Sequence, residues 1–168
     1  SPIELARGED DVAALVHLTR LFVPAMVARG RGRVLHVAST AAFQPGPLMA
    51  VYYASKAFVL SFSEALANEL AGSGVTVTAL CPGPTRSGFQ ARASMESARL
   101  VSGTVPMMDS ATVARIGLRG LRRGRRVVVP GLVNRILAQS VRVAPRRLTT
   151  AIARAMQERK AVAPGREP

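Results

Sequence analysis

Tyr52 and Lys56 lie four residues apart in an apolar segment and pair a phenol with an ammonium group. Side chains at positions i and i+4 are neighbours on a helix, so the two groups would face the same way. A phenol ordinarily titrates near ~10, and a nearby positive charge would help it to exchange protons at neutral pH. A helix over residues 50–71 is predicted by apolar residues at four-residue steps: Ala54, Phe58, Phe62, Leu66 and Leu70.

Ser39 stands thirteen residues before Tyr52, directly after the apolar run 33–38. A short, nearly unbroken apolar run is typical of a strand that is buried on both faces of a parallel sheet. Similar runs at 75–81 and 126–130 predict two further strands, and Pro82-Gly83-Pro84 ends the first of them. Reactive groups in open α/β sheets lie beyond the carboxyl ends of strands, which is the position of Ser39.

This arrangement resembles the classical short-chain dehydrogenase/reductase family, with specific motifs from about Asp11 to Phe89 and a weaker resemblance toward Gln157. The resemblance implies an oxidoreductase that transfers a hydride between a nicotinamide cofactor and a carbonyl or alcohol carbon of a small molecule. Tyr52 would be the acid/base, and Ser39 would polarise the substrate oxygen. Lys56 would hold the nicotinamide ribose and lower the pKa of Tyr52. Tyr53 is the alternative phenol, but its spacing from Lys56 does not fit the family.

The same resemblance implies a cofactor site that combines Tyr52 and Lys56 with the turn after the second strand. Pro82 and Gly83 would pack against the nicotinamide, and the hydroxyl of Ser87, or of Thr85 instead, would bind its carboxamide. The expected cofactor is NADP, with NAD as the alternative. Asp11 stands where the family has an asparagine that serves a proton relay, and it would either take part in catalysis there or cap a helix.

The fold class implied is α/β, a doubly wound parallel sheet of Rossmann-like type with extra helices at its C-terminal end. Residues 1–131 would form the catalytic C-terminal part of this domain, and residues 132–168 a basic helical extension with a disordered tail. The family's Thr-Gly-x-x-x-Gly-x-Gly segment does not occur among the 168 residues. We therefore expect a truncated form of a longer reductase, poorly stable alone because a sheet edge would be uncovered.

Several apolar faces have more than one interpretation. Helices 12–28 and 50–71 would either form a homo-oligomer interface, as in the family, or pack on the sheet as ordinary core. Residues 89–108 lie where the family carries a substrate lid, so their apolar side chains would line a pocket or belong to a surface loop. These side chains are Met95, Leu100, Val101, Met107 and Met108.

The net charge of +13 raises a second class of function, an inactive basic module that binds an anionic surface. Only 4% of residues are aromatic and no binding motif is present, so a nucleic-acid partner is not predicted. The arginine-rich segment 132–156 fits helices packed on the domain, which is the favoured interpretation, or a basic amphipathic helix on a membrane surface.

The remaining candidates for chemistry are isolated residues. Cys81 is the single cysteine, and we interpret it as a buried packing residue. His17 and His36 lack acidic or sulfur neighbours, so no metal site is predicted. No apolar run approaches the length of a membrane span and no signal peptide is evident, which predicts a cytoplasmic protein.

Overall fold

A parallel sheet forms the centre of the computed structural model, which describes residues 2–86, 107–141 and 143–157. Its strand order is β1-β2-β5, and the register aligns Val34 with Val77 and Leu80 with Val128. Two further short strands, β3 and β4, pair in parallel beside it. The strands are β1 (Gly32–Val37), β2 (Val75–Leu80), β3 (Thr85–Arg86), β4 (Met108–Asp109) and β5 (Val127–Val128). The predicted parallel α/β sheet is thereby confirmed.

One helix precedes the first strand, and the others lie between or after the strands. The predicted helix over 50–71 is confirmed as α2, and the predicted helix over 12–28 belongs to a longer helix, α1, that continues through Pro24. A short 3-10 helix at Thr40–Phe43 connects β1 to α2. The α-helices are α1 (Pro2–Ala28), α2 (Ala50–Glu69), α3 (Ser110–Arg122), α4 (Leu132–Ser140) and α5 (Arg146–Gln157).

The core lies between the sheet and α2. Ala38, Ala79 and Cys81 at the carboxyl ends of β1 and β2 pack with Val59 and Leu60 of α2. A second cluster lies under α3, and Met108 is half-buried against it. The other residues predicted to line a substrate pocket include Met95, Leu100 and Val101, which lie outside the described residues. Burial of these apolar side chains stabilises the carboxyl ends of β1 and β2, and Ser39 lies at that end of the sheet.

Helix α1 differs from the sequence prediction in one respect. The segment Asp10–Ala28 has 19 residues and is long and apolar enough to cross a membrane by length and composition, so the expectation that no run approaches a span is wrong. Only 11% of this segment is buried, and Leu18, Leu21 and Phe22 are exposed on it. One such helix does not establish a span, and a cytoplasmic location stays a prediction.

Candidate functional site

Ser39 is held at the carboxyl end of β1 by backbone and side-chain hydrogen bonds. The Ala38 N–H donates to the Leu80 carbonyl at 2.8 Å, which extends the β1–β2 pairing by one residue. Ser39 is extended, and its Oγ accepts a hydrogen bond from the Ala41 N–H at 3.1 Å, capping the short 3-10 helix. The serine hydroxyl is therefore fixed in place by a helix that begins where the strand ends.

Tyr52 and Lys56 approach this serine from the first turns of α2. The Tyr52 side chain is hydrogen-bonded to the side chain of Ser39, and the Lys56 Nζ lies 5.6 Å from the centroid of the Tyr52 ring. In the described part of the chain, no carboxylate forms an ion pair with Lys56. The structure thus brings together the three residues that the spacing singled out, while their catalytic roles stay predictions.

Tyr53, the alternative phenol, belongs to the core. It is buried with Ala41 and Met49, and its ring meets the ring of Tyr52 edge-on at 5.9 Å. Gly46 makes this packing possible, because a Cβ at that position would lie 2.2 Å from the Tyr53 ring. The geometry therefore favours Tyr52 as the phenol that faces the site.

The electrostatics of Tyr52 correct one expectation. Burial raises the pKa of the Tyr52 phenol above 10.0, the hydrogen bond to Ser39 opposes that effect, and the nearby Tyr53 adds to it. Desolvation disfavours the charged phenolate more than the surroundings stabilise it. The predicted lowering of this pKa by Lys56 is therefore not the net result in the structure, where the pKa moves the other way.

The turn after β2 lies against Ser39. The Pro82 carbonyl accepts from the Thr40 N–H at 2.9 Å and, over a longer 3.5 Å, from the Ser39 hydroxyl. Gly83 is in contact with α4, where a Cβ would lie 2.5 Å from the Asn134 side chain. The Thr85 hydroxyl donates to the Gly83 carbonyl at 2.9 Å. Ser87, the other candidate for the carboxamide, lies outside the described residues.

Asp11 does not join this cluster in the structure. It lies inside α1, which begins at Pro2, so the expectation that it caps a helix is wrong. Its side chain is exposed, and within residues 2–86, 107–141 and 143–157 it makes no hydrogen bond or ion pair with Ser39, Tyr52 or Lys56. Of the predicted catalytic residues, Asp11 is the one that the geometry leaves apart.

His36 is a residue whose contacts the sequence did not reveal. It is buried in β1, its Nε2 lies 3.0 Å from the Thr19 Oγ1 of α1, and its Nδ1 lies 2.9 Å from the Ser63 Oγ of α2. Burial lowers the pKa of His36 below its ordinary value of 6.5. The one sequence signal for these contacts is a polar residue inside an apolar strand. It does not identify the partners, which are 17 and 27 residues away.

Cys81 is neither a nucleophile nor part of a metal site in the described residues. Cys81 is fully buried, and burial raises the pKa of its thiol to about 12, so it stays protonated at neutral pH. No group of histidine, cysteine and acidic side chains suited to a metal ion exists among the residues that the structure describes. Cys81 is thus a packing residue.

Comparison with known proteins agrees with this geometry. A family model described as short chain dehydrogenase matches residues 11–98, which include Ser39, Tyr52 and Lys56. The chain belongs to the short-chain dehydrogenase family. It is 38% identical over 114 residues to a very-long-chain 3-oxoacyl-CoA reductase of Pyrenophora tritici-repentis. This match covers 66% of this chain and 32% of that protein.

Two solved structures have the same fold. A short-chain dehydrogenase from Sphingobium yanoikuyae in complex with NADPH is 28% identical with a TM-score of 0.68, covering 94% of this chain and 58% of that one. A short chain dehydrogenase from Burkholderia cenocepacia in complex with NADP is 25% identical with a TM-score of 0.71, covering 89% of this chain and 60% of that one. This chain spans a third or less of the curated relatives it matches first and under two thirds of these structures. The fold is Rossmann-like α/β.

Proposed function

We propose that the protein is an NADP-dependent oxidoreductase that interconverts a carbonyl compound and the corresponding alcohol. The observation that carries the proposal is the hydrogen bond between Ser39 and Tyr52, with the Lys56 ammonium 5.6 Å from the centroid of the phenol ring. Family membership and the two neighbours in complex with NADPH and NADP support it. The bound nicotinamide would supply or accept the hydride.

Tyr52 and Ser39 would act on one substrate oxygen. Tyr52 would donate a proton to that oxygen as the carbonyl is reduced, while the Ser39 hydroxyl holds the oxygen by a hydrogen bond. The raised pKa keeps the Tyr52 phenol protonated at neutral pH, which is the form that reduction requires. Oxidation of an alcohol would require the phenolate, whose formation burial opposes. The described chain thus holds Tyr52 in the form that can donate a proton.

Lys56 and the turn after β2 fit the nicotinamide end of a dinucleotide. The Lys56 ammonium has no carboxylate partner in the described segments and could donate to ribose hydroxyls. The Thr85 hydroxyl donates to the Gly83 carbonyl at 2.9 Å, and a hydroxyl oxygen is the type of acceptor that a carboxamide N–H requires. Pro82 and Gly83 would form the floor below the ring. Whether Ser87 takes the role of Thr85 stays a prediction.

Replacing Tyr52 by Phe in the full-length protein tests this proposal. We expect kcat for NADPH-dependent reduction of a carbonyl substrate to fall by about 10²–10⁴-fold, because the proton donor is lost. Tyr53→Phe is the matched control, since it removes the adjacent phenolic oxygen from a buried ring, and it should retain most of the activity. Full activity in Tyr52→Phe, with the melting temperature unchanged, would refute the assigned role.

A homo-oligomer is the partner that we propose for the face formed by α1 and α2. Leu18, Leu21 and Phe22 of α1 and Phe58 of α2 are exposed apolar residues, and the two helices pack beside each other. Light scattering of the full-length protein should give a mass above that of one chain. Leu21→Ser combined with Phe22→Ser should reduce that mass, while a monomeric wild-type protein would contradict the proposal.

A further inference from the structure

The helices α4 and α5 turn small or polar side chains inward and large apolar ones outward. Asn134 and Ala138 of α4, and Thr149 and Ala153 of α5, are buried. A helix that covers a core ordinarily buries its large apolar residues instead. The exposed ones, with their exposed fractions, are Leu132 (68%), Val133 (50%), Ile136 (59%), Leu137 (47%), Leu148 (52%) and Ile152 (51%), and Val143 (88%) lies between the helices.

The charge around this outer face has a single sign. Residues 110–157 contain eleven arginines and neither aspartate nor glutamate. Arg135 of α4 and Arg146, Arg147 and Arg154 of α5 are all exposed. Arg147 and Arg154 are seven residues apart, so they lie on one face of α5, adjacent to the face that carries Leu148 and Ile152. The outer face thus combines exposed apolar groups with cations alone.

This combination points to one kind of partner. Two copies of this outer face would repel each other through their arginines. The apolar face of α1 suits a second copy of the chain better, because Asp10 and Asp11 of the same helix carry negative charge. Nucleic acid would leave the aliphatic side chains without a role, and residues 110–157 contain no aromatic residue on which a base could stack. An anionic lipid surface accepts both features, since aliphatic groups enter between headgroups and arginines bind phosphates.

We propose that α4, α5 and the residues between them dock the protein on a membrane surface that contains anionic phospholipids. The inner faces of the two helices remain packed on the domain, so docking needs no unfolding. Asn134, on the inner face of α4, lies against Gly83 in the turn beside Ser39. The helix that contacts the lipid is therefore the one that supports the edge of the candidate active site.

Co-sedimentation of the full-length protein with vesicles tests the docking surface. Vesicles of phosphatidylcholine alone are compared with vesicles of phosphatidylcholine and phosphatidylserine in equal amounts. We expect binding to the mixed vesicles that weakens as salt is added. Arg146→Gln combined with Arg147→Gln should weaken it by about 25-fold, since each arginine near an anionic surface contributes about fivefold. Leu132→Ser combined with Ile136→Ser should also release the protein.

Matched controls separate this surface from general charge or apolarity. Arg31→Gln combined with Arg33→Gln removes the same charge from exposed arginines at the start of β1, and Leu48→Ser removes an exposed leucine from the segment before α2. Both controls should bind the mixed vesicles nearly as well as the wild-type protein. All variants should keep the wild-type melting temperature, because the substituted side chains are exposed.

Four results would overturn the proposal. The protein would fail to sediment with the mixed vesicles, or the Leu48→Ser control would lose binding while the α4 variant kept it. Stronger binding to a DNA duplex at equal salt, unaffected by Leu132→Ser and Ile136→Ser, would assign the arginines to nucleic acid. A lower melting temperature in the α4 variant would mean that other parts of the protein already cover this face. None of these results depends on enzymatic activity, so failure here leaves the proposed function intact.

Discussion

Two polar clusters, one around His36 inside β1 and one around Ser39 just beyond its end, differ in how far other elements cover them. Around His36 both ring nitrogens have a hydroxyl partner, and those hydroxyls also lie within reach of the Leu15 and Val59 carbonyls. Around Ser39 the side chain of Tyr52 is only half-buried, and the Lys56 ammonium stands nearby. We call the first cluster closed, because two helices cover it, and the second open, because Tyr52 and Lys56 are partly exposed although Ser39 itself is buried.

The difference shows that position in the sheet separates a structural cluster from a chemical one. His36 lies within the strand, where α1 and α2 cover it and polar groups must satisfy each other. Ser39 lies beyond the strand, where the chain leaves the sheet and a substrate can approach. Similar hydroxyls therefore only stabilise the fold around His36, whereas the Ser39 hydroxyl stands beside a phenol and an ammonium group.

Replacing Ser39 by Ala tests the open cluster and should have the larger effect on activity. We expect kcat to fall by about 10²–10³-fold, because the hydrogen bond to the substrate oxygen is lost. Ser73→Ala is the matched control, since the Ser73 Oγ also accepts from an N–H two residues later, that of Val75 at 3.2 Å, but stands at the other end of the sheet. Equal activities of the two variants would remove Ser39 from the site.

Replacing His36 by Ala tests the closed cluster and should act on stability. We expect the free energy of unfolding to fall by about 2–4 kcal/mol, because a cavity forms and the Thr19 and Ser63 hydroxyls lose a partner. The folded enzyme should keep its kcat, as measured below the unfolding transition. His17→Ala, at an exposed position on α1, should change neither quantity. A loss of kcat at unchanged stability would show that the two clusters work as one.

Local patterns in the sequence predicted the open cluster well and the closed cluster not at all. Ser39, Tyr52 and Lys56 were found from spacing along a strand and a helix, which backbone geometry converts directly into position. The contacts of His36 join Thr19 to Ser63 across three elements, and no periodicity encodes such a meeting. The pKa of Tyr52 was also misjudged, because its shift depends on how deeply the ring is buried rather than on Lys56 alone.

The same cluster should make stability depend on pH. Burial lowers the pKa of His36 in the folded protein below 6.5, so the unfolded chain binds more protons as the pH falls. The stabilisation from a neutral His36 is therefore fully present above 6.5 and is lost progressively below it. Urea unfolding between about pH 5 and pH 7.5 should show a slope that His36→Gln reduces. An identical slope in both proteins would mean that His36 keeps its ordinary pKa.

Thr78 offers the smallest test, on the strand beside His36. It is fully buried in β2, and its hydroxyl has no hydrogen-bond partner among the described residues. Because valine has nearly the same shape, Thr78→Val should raise the free energy of unfolding by about 1 kcal/mol, measured by urea unfolding. Thr19→Val should lower it instead, because the Thr19 hydroxyl bonds to His36. If both variants changed the free energy of unfolding in the same direction, hydrogen bonding would not distinguish these two buried hydroxyls.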